Sequence, residues 1–259
     1  MAHGAPQTPA DPLFEFLCRM GDGPLVLSHQ ISAWCGHAPV LEEDIALANI
    51  ALDLIGQAQM WLGLAAEIEG AGRSADDLAM RRDAWDFRCL LLVEQPNGDF
   101  GQTMMRQFLF DAWHVPMLEA LTASAHPRVA EIAAKSVKEA RYHLEKSSDM
   151  VIGLGDGTSE SHDRMQAALD LLWPYTGEAT TPDAVDDAMA QAGVAPDAAA
   201  LRTAYDACVA QVLAEATLTP PDSRFAHKGG KAGTMHSEHL GHLLTQMQWL
   251  QRAYPDAVW

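Results

Sequence analysis

The chain has 259 residues, 48% of them hydrophobic, which suits one large domain or two small ones with a sizeable core. Asp and Glu number 35 against 17 Lys and Arg, a net charge of −18 at pH 7. Such a surface repels phosphate backbones and anionic lipid, which turns the reading away from nucleic acid and membrane partners. No uncharged apolar run reaches the ~18 residues a spanning helix needs. Cys18, Cys35, Cys89 and Cys208 are scattered without a CxxC and read as reduced thiols in a cytoplasmic protein.

Residues 1–11 are polar and rich in Ala and Pro, and lack a basic stretch followed by an apolar one. They read as a disordered tail, not a signal peptide, ahead of a single helical domain over 12–259. A short helical pair follows, broken at Gly21-Asp22-Gly23-Pro24. Leu41, Ile45, Ala48, Leu52, Ile55, Leu62 and Ala66 then recur three and four apart, the spacing of one helix face. That long helix, apolar on more than one side, is expected at the centre of a bundle. A second helix is predicted over Ala75–Glu94, ending at Gln95-Pro96-Asn97-Gly98. A third covers Phe100–Ser124, with Pro116 expected to kink it. A fourth opens at Pro127 and runs to Ile152, before Gly153-Leu154-Gly155-Asp156-Gly157. Shorter helices are predicted at Ser161–Tyr175, Pro182–Ala192, Pro196–Leu218 and Thr234–Tyr254. The pattern is all-α, a ferritin-like four-helix core with additional short helices at both ends.

Bundles of that kind hold two irons with a Glu from each of two helices and Glu-x-x-His from each of the other two. Residues three apart share a helix face, so the pair reaches one metal centre. At corresponding positions here stand Asp53 on the first long helix, Asp83-x-x-Asp86 on the second, Asp111 on the third and Ala140-x-x-His143 on the fourth. No predicted helix carries Glu-x-x-His, and an alanine offers no ligand. The four Asp and His143 then read as polar residues paired inside a bundle without metal, with Arg82, Arg88, Arg106 and Lys138 as candidate counter-charges.

Two other features invite a site. The loop His227-Lys228-Gly229-Gly230-Lys231-Ala232-Gly233 could wrap phosphate, such as that of coenzyme A, through its backbone N–H groups with Lys228 and Lys231, or be a plain flexible loop before a helix. His236, His239 and His242 are spaced by three, but on a helix they spread around the axis, and a polar helix start fits them better than a metal site. Trp34-Cys35-Gly36-His37 is not a nucleophile and base, because adjacent helical residues do not face each other.

Four strings resemble a known family: LVLSHQISAWCGHAPVLEEDIALANIALDLIGQAQ (Leu25–Gln59), LLLVEQPNGDFGQTMMRQFLFDAWHV (Leu90–Val115), KEARYHL (Lys138–Leu144) and GGKAGTMHSEHLGHLLTQMQWLQRAYP (Gly229–Pro255). They look like the structural C subunits of the bacterial phenylacetyl-CoA epoxidases, multicomponent monooxygenases. The resemblance covers nearly all of the chain after the first ten or so residues. It implies a ferritin-like subunit that has lost its metal ligands, binds no cofactor itself, pairs with the catalytic di-iron subunit of the same complex and supports its stability and substrate binding. A reductase subunit would draw electrons from NADPH. Residue by residue it carries over no catalytic group. The apolar helix faces around Asp53 and Asp111 are expected to include the one the partner covers, with self-association, as a homodimer or larger, when the chain is alone.

Overall fold

The computed structural model describes residues 11–223 and 225–257, so most of the expected 1–11 tail lies outside the described residues. Described residues form ten α-helices and three short 3-10 turns, with no strand among them. Helix α1 spans Pro12–Ser32, α2 Leu41–Glu69, α5 Phe100–Leu121 and α6 Pro127–Gly155. These four make the bundle as two hairpins, α1 against α2 and α5 against α6, closed by α2 on α6. A crossover links the hairpins through α3 (Ala75–Met80), a 3-10 turn (Ala84–Asp86) and α4 (Leu91–Glu94). Helices α7 (Ser159–Leu172), α8 (Ala184–Gln191), α9 (Ala198–Glu215) and α10 (Glu238–Ala253) pack around this core.

The break predicted at Gly21–Pro24 does not occur, and α1 runs through it. Local breaker residues are overridden by packing that needs them. A Cβ on Gly21 would lie 2.7 Å from Leu62 Cγ, so only glycine lets α1 and α2 approach this closely. Asp22, buried in the same stretch, is drawn in by the Arg82 guanidinium and the Arg88 N–H. Asp11 caps the helix start by accepting from Leu13 N at 2.9 Å, and Pro12 occupies the first turn, where its missing N–H costs nothing.

The single helix predicted over Ala75–Glu94 is in fact the broken crossover. Ser74 and Asp77 form a capping box that starts α3, and the chain leaves the helix at Arg81. Arg82 then bridges the buried Asp22 carboxylate, the Leu78 and Asp86 carbonyls and the Phe87 ring, 4.5 Å from its guanidinium carbon. No helix from 75 to 94 could deliver both arginine and backbone to one carboxylate. Thus α1, not the predicted second helix, supplies the fourth side of the bundle.

The apolar stripe of α2 also sits differently from what its periodicity suggests. The buried face is Leu47, Ile50, Ala51, Leu54, Ala58, Trp61, Leu62 and Ala65. Leu41, Ile45, Leu52 and Ile55 point outward, 70%, 53%, 65% and 44% exposed. The outer stripe repeats as regularly as the core one, so spacing alone could not choose between them. In α5, by contrast, Thr103 to Val115 are buried throughout, and the helix continues past Pro116 to Leu121.

Breaking the Asp22–Arg82 pair from one side strands a buried charge, at a cost of roughly 3–5 kcal/mol. We expect Arg82→Met to lower the urea midpoint accordingly. Asp22→Leu combined with Arg82→Met should cost less than the two single changes added together, a comparison that equilibrium denaturation of the three variants checks.

Candidate functional site

The polar layer at the middle of the bundle is where a ferritin-like protein would hold metal. Helix α2 brings Asp53 and Gln57, α5 brings Gln107, Asp111 and His114, and α6 brings Glu139, Ala140, His143 and Ser147. Asp53 is half-buried at the outer edge, its carboxylate 3.1 Å from His143 Nε2. Gln57 Nε2 donates to Glu139 Oε2 at 3.1 Å. Asp111, fully buried, accepts from Gln107 Nε2 at 2.8 Å and from Ser147 Oγ at 2.9 Å. Burial pushes the Asp111 carboxyl well above the usual carboxylate range, the two hydrogen bonds opposing only in part, so the neutral acid is favoured.

His114 lies one turn beyond Asp111, its ring 4.9 Å from Phe110 and 6.0 Å from Trp113. Both of its nitrogens are buried without a hydrogen-bond partner. Burial, with a smaller contribution from His143, brings it down to about 3, so it is a neutral imidazole. Burial also lowers His143, against the pull of Asp53. His143 Nδ1, Gln57 Oε1, Gln107 Oε1 and Ser136 Oγ are likewise buried and unpartnered.

These residues do not fit a di-iron centre. Ala140 is buried with no donor atom where the helix would present a carboxylate. On α1, a Cβ added to Gly23 would meet Phe110 Cε2 at 3.5 Å, and the Phe110 ring lies 4.9 Å from that of His114. Asp83 and Asp86 are not in the layer. They cap the exposed 3-10 turn, where Asp86 accepts from Asp83 N at 3.2 Å and Asp83 pairs with Arg252 of α10. The counter-charges expected for the layer lie elsewhere: Arg82 holds Asp22, Arg88 holds Glu15 at 2.5 Å, and the buried Arg106 donates to Gln95 O and Asn97 Oδ1 at 2.5 and 2.6 Å. Lys138 is exposed.

Among the described residues, one group of three His, Cys, Asp or Glu donors lies mutually within 4.8 Å: Cys89, Glu94 and His236. It is a hydrogen-bonded knot around the buried Glu94 carboxylate, which takes His236 Nδ1 at 2.6 Å, Ser237 N at 2.6 Å and Cys89 Sγ at 3.5 Å. Burial and the neighbouring Glu94 push the Cys89 thiol well above its ordinary value, away from the thiolate a metal would bind. His236 precedes α10 and does not share its helix with His239 and His242.

The glycine-rich loop is also committed within the chain. Gly229 N and Lys231 N donate to Glu178 at 2.8 and 3.2 Å, and Leu91 N donates to the same carboxylate at 2.9 Å. Lys231 Nζ bonds Thr181 O at 2.7 Å and Asp186 at 2.5 Å. The N–H groups of Gly229 and Lys231 and the Lys231 ammonium are thus engaged within the chain, while the Lys228 side chain is exposed. Asp22, Glu94 and Glu178 escaped the sequence reading. For Glu94 a signal existed, a lone acid closing the apolar run Leu90–Val93.

A ferritin-like helical bundle with a donor-poor central layer is thus the class of protein that fold and site define. The family of phenylacetic acid catabolic proteins matches residues 2–259, and the chain belongs to it. It is similar to the C subunit of the 1,2-phenylacetyl-CoA epoxidase of Escherichia coli (strain K12), 48% identical over 247 residues that cover 95% of this chain and 99% of that protein.

His114 makes one contribution to the pH dependence of stability, opposite in sense to that of the buried Asp111 acid. The His114 pKa is lower folded than unfolded, so the stability of the neutral form is present above the ordinary value of 6.5 and is lost as pH falls from there toward about 3. His114→Leu fills a similar volume and removes two unpartnered nitrogens. The variant is expected to be at least as stable as the parent at pH 7 and to unfold less readily between pH 6 and roughly pH 4, which thermal melts across that range measure.

Proposed function

We infer that the chain is the non-catalytic structural subunit of a multicomponent phenylacetyl-CoA 1,2-epoxidase of aerobic phenylacetate catabolism. In this reading it pairs with, and supports, the catalytic subunit of that complex, without oxidising substrate itself. Iron is held by the partner, and NADPH is used by the reductase. The observation that carries the reading is the central layer. Ala140, buried on α6 three residues before His143, supplies no ligand atom. Asp111 is a hydrogen-bonded acid held by Gln107 and Ser147. Relatedness to a protein named as the C subunit of such an epoxidase supports the assignment to that complex. An enzyme that bound two metals with shortened ligands and acted alone would need Asp53, Asp83, Asp86 and Asp111 to converge. A helical interaction protein unrelated to oxygen chemistry would not account for the family.

Elemental analysis of the purified chain is expected to find no stoichiometric iron. With reductase and NADPH it should not consume phenylacetyl-CoA until the di-iron subunit is added. Two irons per chain, or turnover by the chain alone at the rate of the full complex, would falsify the reading.

A further inference from the structure

Between the bundle and its outer layer lies a cavity of about 40 Å³, bordered by α1, α5, the turn before α8 and the start of α9. Its wall is apolar and adaptable. Phe16 and Met20 come from α1, Leu90 from the crossover, Trp113 and Met117 from α5, and Leu201 from α9. The short side chains of Ala195 and Ala198 complete the lining. A space of this size holds roughly three waters, or a molecule of about four heavy atoms. The two unbranched methionines let it widen by turning about their own bonds.

The charges at the cavity are matched among themselves. Arg19, nine-tenths buried, gives its terminal nitrogens to Asp183 at 2.7 and 2.9 Å and to Asp186 at 3.0 Å. Lys231 binds Asp186 at 2.5 Å, and Arg88 holds Glu15 at 2.5 Å. Three cations thus meet three carboxylates, and a charged guest would find no counter-charge. Two N–H donors are left over. Arg19 Nε and the indole Nε1 of Trp113 are buried with no acceptor, and both residues line the cavity. A buried donor without a partner costs about 1–3 kcal/mol, and a buried Trp N–H usually has one. Water would satisfy a donor but lose its own remaining bonds against Phe16, Met20 and Met117. A carbonyl oxygen with small alkyl arms satisfies the donor and buries the arms on the apolar wall.

We propose that this cavity binds a small neutral carbonyl compound of about four or five heavy atoms, its oxygen accepting from the unpartnered N–H groups of the wall. Neither the space nor the free donors depend on the subunit assignment.

The test is a titration of the full chain, isotope-labelled at its methionine methyls and tryptophan indoles, followed by nuclear magnetic resonance. Butanone is the probe, and sec-butylamine, with the same carbon skeleton but a charged donor in place of the acceptor, is the comparison. Butanone is expected to shift the Met20, Met117 and Trp113 signals together and to saturate in the millimolar range, as befits so few atoms. The amine should leave them in place. Ala195→Leu and Ala198→Leu fill the cavity from positions that are not fully buried, and each should abolish the shifts. Two fillings are used so that one that melts early leaves the other. Trp113→Phe keeps a ring and removes the donor, and should weaken binding about tenfold as read at the methionine methyls. No saturable shift with butanone, equal shifts with the amine, or shifts that survive both fillings would each overturn the site. Unchanged affinity in Trp113→Phe would overturn the part given to its indole, and with it the preference for an acceptor.

Discussion

Three buried carboxylates hold the irregular parts of this molecule to its bundle. A crossover that runs over a helical core cannot satisfy its backbone N–H groups with a helical ladder, and each one buried unpaired would cost about 1–3 kcal/mol. Asp22 gathers Arg82 and the Arg88 N–H, Glu94 gathers His236, the Ser237 N–H and the Cys89 thiol, and Glu178 gathers the N–H groups of Leu91, Gly229 and Lys231. One ionised carboxylate accepts several bonds at once, so a short acidic side chain takes the place of a strand or a cap. The arrangement fixes where α3, α4 and α10 sit, and leaves α1, α2, α5 and α6 to pack by apolar burial.

The central layer is polar, buried and poor in metal donors. An alanine, Ala140, stands where the motif spacing calls for a carboxylate, while Asp111, His114 and His143 are buried polar groups. Asp111 is satisfied by hydrogen bonds and neutrality. His114 is not satisfied, and its two free nitrogens are a standing cost inside an otherwise well-packed core.

Much of this was legible in the sequence. Helix content, the extents of α2, α5 and α6, and the missing ligand at Ala140 follow from periodicity, proline and glycine placement and motif spacing. What periodicity could not supply was which of two apolar stripes of α2 faces the core, since Leu52 and Leu54 obey the same repeat and differ only in what lies opposite. Nor could local rules find α1. Gly21, Gly23 and Pro24 spell a break, and the reasons the helix survives them, Leu62, Phe110 and Arg82, are far along the chain. The same distance effect misplaced Asp83 and Asp86, whose helix is undone by Arg82 reaching back to Asp22.

The knots at Glu94 and Glu178 also order events in time. Both carboxylates belong to segments made well before residues 229–237, which bring the N–H groups and imidazole they bind. During synthesis the two hairpins can pack before Glu94 and Glu178 meet those later partners, with Leu91 N already available to Glu178. The crossover gains its remaining ties when residues 229–237 have been made. A chain stopped short of Gly229 would leave Glu94 without His236 and the Ser237 N–H, and Glu178 with Leu91 N alone, so residues 229–237 act as a latch on the crossover.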